Sequence, residues 1–77
     1  MRLRPYSFRD VLRALSKIGF KVIRQRGSHI ILKGEHGGKR RTVVIPKHKE
    51  IAVGTLHGIA FQAGLSVEEF VKLLKEV

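Results

Sequence analysis

A chain of 77 residues makes one domain, 1–77, with a small core: at this length folding buries only about 60% of the unfolded chain's surface, which argues against a deep substrate cavity. There is no cysteine for a disulfide framework or a thiolate zinc site, no apolar stretch near the ~20 residues of a membrane span, and no signal-peptide segment, so the expectation is a cytoplasmic protein away from membranes. The 16 Lys and Arg against 6 Asp and Glu give a net charge of +10, crowded into residues 2–49, which calls for a polyphosphate partner; the alternative is a solvated basic surface or high-temperature charge enrichment, which ordinarily raises Glu along with Lys.

Ser7 followed three residues later by Asp10 resembles an N-cap with an acidic N3 residue, just after Pro5. Phe8, Val11, Leu12, Leu15 and Ile18 recur at three- and four-residue spacing, so a first helix is expected over Phe8–Ile18, with Gly19 as its left-handed cap. From Phe20 the period changes to two. Phe20 and Val22 face one way, Lys21 the other, and the strand leaves through Arg24-Gln25-Arg26 to a tight turn at Gly27-Ser28.

A second strand over 29–33 sets Ile30 and Leu32 on one face and His29, Ile31 and Lys33 on the other. Residues 34–38 read as a hairpin loop and 41–45 as a third strand closed by Pro46. After a polar connection over 46–53, Gly54-Thr55-Leu56 opens a second helix, capped by Thr55 and ended by Gly64. Ser66 and Glu69 form another capping box, after which Val67, Phe70, Val71 and Leu74 continue at helical spacing. The expected class is α+β: an α-β-β-β-α order, a three-stranded antiparallel sheet, and helices on one face. The other face and the sheet edges stay open, so a partner docks by covering the face or by adding a strand.

His29 is the candidate catalytic residue, because an imidazole of unperturbed pKa about 6.5 both takes and gives a proton near neutrality. RNA carries its own nucleophile in the 2′-hydroxyl, so a general base drives that oxygen onto the neighbouring phosphate without metal or cofactor. Arg24, Arg26 and Lys33 are candidates to hold the polyanion, and Gly27 and Ser28 to let it approach, though both also serve simply as the turn. His48, beside Lys47, reads either as a second proton-transfer group or phosphate donor, or as a surface histidine. Thr55 and its helix start read as a phosphate site or as a plain N-cap. His36 and His57 receive no role, and the four histidines lack metal-ligand spacing. The competing reading is a non-catalytic RNA-binding module or ribosome-associated protein docking through the same basic face by shape and phosphate contact, since aromatic content is only 6%.

Taken in order, Arg24-Gln25-Arg26-Gly27-Ser28-His29, then Val44-Ile45-Pro46-Lys47-His48, then Gly54-Thr55-Leu56 and Ala63-Gly64-Leu65-Ser66 resemble the HicA toxin family, over nearly the whole chain. The resemblance implies a double-stranded-RNA-binding-domain-like fold and an mRNA interferase of a type II toxin–antitoxin system, with the family's catalytic histidine falling on His29 in a Gly-x-His motif. It also implies a HicB-like antitoxin, a separate small protein that covers the toxin's active face and often supplies the DNA-binding part of an autoregulating complex.

Overall fold

The structure is a computed structural model that describes residues 2–76. Helix α1 spans Phe8–Ser16, and the Ser7 hydroxyl accepts the Asp10 N–H at 3.3 Å, as an N-cap does. Its exit is set by Gly19 at φ 96, where the Gly19 N–H reaches the Ser16 carbonyl and the Phe20 N–H the Leu15 carbonyl, both at 3.1 Å. This is the Schellman pattern, with buried Leu15 and Phe20 as its hydrophobic contact. The regular helix therefore stops two residues short of Ile18, and a tight turn covers the difference.

Strands β1 (Lys21–Arg26), β2 (His29–His36) and β3 (Lys39–Pro46) form an antiparallel sheet in the order β1-β2-β3. Gly27 at φ 59 with no positive φ at Ser28 gives the φ pattern of a type II′ hairpin turn between Arg26 and His29. The second hairpin is tighter than the five-residue loop expected over 34–38. Gly37 and Gly38 alone turn the chain, at φ 64 and 77, and His36 already pairs with Lys39. Gly34 belongs to β2 by its pairing with Arg41, and it must be glycine because an added Cβ would sit 2.8 Å from the Phe20 ring.

The alternation expected for the first strand also fails in one place. Phe20 is buried but Val22 is 53% exposed, and the register slips between Val22 and Arg24, leaving Ile23 as an unpaired bulge residue. Strict alternation from Phe20 would send Arg24 and Arg26 toward the helices. The bulge sends them to the opposite face, in register with Ile31 and His29.

Helix α2 (Val53–Ala63) begins earlier than expected. Its N-cap is Ala52, with no side-chain cap, and the Leu56 N–H already bonds to the Ala52 carbonyl at 3.0 Å, so Thr55 is the helix's third residue rather than its cap. Gly64, at φ 76, ends it with the bonds Gly64 N–H to Phe61 and Leu65 N–H to Ala60, a second Schellman closure. In α3 (Val67–Lys75) both halves of the Ser66/Glu69 capping box form. The order is thus α-β-β-β-α-α, an α+β fold.

One core holds these elements together. Leu32, Val43 and Ile45 from one sheet face are wholly buried with Val11 and Leu15 of α1, Leu56 of α2 and Phe70 of α3. Each such side chain contributes about 1.5–3 kcal/mol by leaving water. α1 packs on α3, and α2 lies beside β3. The other sheet face is left to solvent.

Candidate functional site

His29 is exposed at the first position of β2, opposite Arg26 on β1 and Pro46 on β3. Directly opposed residues of an antiparallel pair hold their Cβ atoms about 4.5–5.5 Å apart and on one face. Two residues further along β2, Ile31 stands opposite Arg24 and Val44, and two further still Lys33 stands opposite Lys21 and Thr42. Residues two apart in a strand share a face, so the open face carries His29, Arg26, Arg24, Lys33, Lys21 and, beside Glu35, Arg40. Lys33 lies about 13 Å along the strand from His29, too far to share one phosphate with it but well placed for another of the same chain.

Among the described residues, Arg13 with Asp10, at 3.8 Å on α1, is the ion pair that forms. Glu35 faces Arg40 without closing to an ion pair, so among the described residues no carboxylate bonds the cations of the open face, and their field is available to a polyanion.

The corner around His29 is braced by backbone bonds. The Lys47 N–H donates to the Ser28 carbonyl at 2.7 Å, the His48 N–H to the Pro46 carbonyl at 2.8 Å, and the Phe8 N–H to the His48 carbonyl at 3.0 Å. Ser28, Lys47 and His48 thus converge on the His29 end of the sheet, all exposed. Gly27 owes its presence first to its positive φ; nothing stands within 4 Å of where its Cβ would be, so the turn tip is open to an incoming chain. Next to His48, whose carbonyl accepts the Phe8 N–H, residues Ser7, Phe8, Arg9 and Lys49 line a shallow groove.

Thr55 reaches this end by a different route. The Gln62 Oε1 accepts the Val44 N–H at 3.0 Å, and Arg41 packs over Gly64, so α2 runs antiparallel to β3 and its first turn lies at the Pro46 end. That turn, Val53 to Thr55, has no side-chain cap on its N–H groups. The structure thus groups Arg24, Arg26 and His29 on one face, Gly27, Ser28, Lys47 and His48 at one corner, and Thr55 at the same end, with Lys33 on the face but distant.

Lys21, Arg40 and Thr42 share the face and were not singled out from the sequence. The available signal was Gly37-Gly38: a two-residue turn fixes the pairing of β2 with β3, and with it the face of Arg40.

The fold and site define a small α+β protein whose open sheet face presents an exposed histidine among uncompensated cations, the equipment of a polyanion-binding surface. The family model described as HicA toxin of bacterial toxin–antitoxin matches residues 8–65, and the chain belongs to that family. No curated protein and no solved structure matches it. The matched segment contains His29 and every residue grouped with it on the face and at the corner, while Ser7 of the groove lies just before it. No helix among the described residues is long and apolar enough to cross a membrane.

Proposed function

We propose that the protein is the endoribonuclease toxin of a toxin–antitoxin pair, an mRNA interferase in which His29 removes the proton from an RNA 2′-hydroxyl. The observation that carries the reading is the register of β1 on β2, which sets Arg26 opposite an exposed His29 and Arg24 one step further along the same face.

The chemistry balances without a cofactor. The imidazole takes the 2′-hydroxyl proton, the oxygen attacks the adjacent phosphorus, and the bond to the 5′-oxygen breaks, leaving a 2′,3′-cyclic phosphate and a 5′-hydroxyl. The departing oxygen takes a proton, from His48 or from water. Arg26 lies where negative charge grows on the phosphate, and such preorganised cations stabilise that charge most when they need not move. Arg24, Lys33 and Lys47 hold neighbouring phosphates, Ser28 and Thr55 offer hydroxyls, and Gly27 keeps the turn narrow. The antitoxin, a HicB-like protein, silences the enzyme by covering the same face.

Incubating the purified protein with single-stranded RNA in EDTA tests this reading. Cleavage to 2′,3′-cyclic ends, with the all-deoxy strand untouched, is expected. Binding without cleavage would instead make it an RNA-binding module.

A further inference from the structure

The sheet has two outer edges, and they are treated differently. Along β3 the edge is occupied: α2 lies against it and Gln62 takes the Val44 N–H at 3.0 Å. Along β1 no strand or side chain pairs with the outer edge among the described residues. That edge, Lys21–Arg26, contains no proline, and it carries Val22 and Ile23 at 53% and 50% exposure. An unpaired strand edge with exposed β-branched side chains is a template for another strand.

Charge decides which strand fits. Lys21, Arg24 and Arg26 alternate with the apolar pair and with Gln25, and none has a carboxylate partner among the described residues. A second copy of β1 laid antiparallel on this edge brings cation against cation, and like charges directly opposed are destabilising. The same three cations favour a strand whose carboxylates alternate with apolar residues, so the edge rejects its own kind and accepts an acidic one.

We infer that the outer edge of β1 docks an extended, acid-rich segment of a partner protein, which joins the sheet as a fourth strand. Backbone N–H and C=O groups supply the pairing, Val22 and Ile23 the apolar contact, and Lys21, Arg24 and Arg26 the selectivity. The inference goes beyond RNA cleavage and holds whether or not His29 is catalytic, because its readout is the β1 backbone.

The test uses the intact protein and three synthetic peptides: Glu-Val-Glu-Thr-Glu-Val-Glu, the same peptide N-methylated at every amide, and the version with Lys in place of every Glu. Amide hydrogen exchange is followed by NMR across residues 21–26. With the acidic peptide at saturation, outward-facing amides of β1 should exchange at least about fivefold more slowly, as amides newly drawn into a ladder do. The N-methylated and Lys peptides should leave them unchanged. Equal binding by the N-methylated peptide, shift changes confined to the His29, Ile31 and Lys33 side chains on the open face, or no change in β1 at millimolar peptide would each overturn the inference.

Discussion

If the open face holds RNA by its phosphates, affinity must carry a salt dependence that tracks named side chains. Lys21, Arg24, Arg26, Lys33 and Arg40 share the face with His29. At about −0.7 in the slope of log affinity against log salt for each phosphate neutralised on a single strand, five contacts give a slope of about −3.5. Raising salt from about 50 to about 200 mM then weakens binding roughly 100-fold. Replacing Arg24 and Arg26 together by Gln removes two contacts, brings the slope to about −2.1 and cuts that loss to roughly 20-fold. The assay is fluorescence anisotropy on a labelled 2′-O-methyl strand, which cannot be cleaved through its sugar. Lys75→Gln, on the last turn of α3, is the control and leaves the slope alone. An unchanged slope in the double variant, or an equal fall in the control, would refute the assignment of this face as the phosphate track.

Gly34→Ala drives a methyl group into the Phe20 ring and backbone, and overpacking of this kind costs about 1–3 kcal/mol; chemical denaturation should show a lower midpoint at an unchanged m-value. Gly64→Ala puts a side chain into the Arg41 guanidinium at a left-handed position, which itself costs roughly 1–2 kcal/mol, so its thermal midpoint should fall as well. Bonding to the Ser66 N–H holds the Glu69 carboxyl below its ordinary range, so the capping box contributes its full stability above the unfolded-state value and loses it as pH falls through the lower folded one. Glu69→Gln should therefore narrow the gap between melting temperatures at neutral and strongly acidic pH, relative to the parent.

Much of the frame was legible because local chemistry and tertiary packing agree. Ser7, the apolar stripe of α1 and Gly19 mark a helix whose ends fall where its hydrogen bonds can be completed. Ser66 and Glu69 do the same for α3. The parity of β2 also placed His29, Ile31 and Lys33 away from the core, because Ile30 and Leu32 had to be buried. Legibility failed where packing overrides propensity. Gly34, Glu35 and His36 have poor strand character, yet they pair with β3 because the turn at Gly37-Gly38 leaves them no other partner and Phe20 needs the space above Gly34. Gly54-Thr55 has the look of a cap, yet α2 starts before it, at Val53. Ile51, anchored by its N–H to the Tyr6 carbonyl at 2.7 Å, already commits the chain to turn at Ala52. The bulge at Ile23 was invisible: nothing in Lys-Val-Ile-Arg-Gln-Arg announces an extra residue, and only pairing with β2 reveals it. That one residue decides the face of both arginines: the sequence offers Arg24 and Arg26 as candidates beside His29, but the face they share with it follows only from the bulge.

His29 carries the central claim, and its exposure at the end of β2, with no core contact to lose, makes it a clean residue to change. Single-turnover cleavage of a short RNA by the parent and by His29→Ala, with folding checked by an unchanged melting temperature, is the direct measurement. Loss of general base catalysis should slow cleavage by about 10²- to 10⁴-fold while RNA affinity changes little. A folded His29→Ala protein that cleaves at the parental rate would contradict the account.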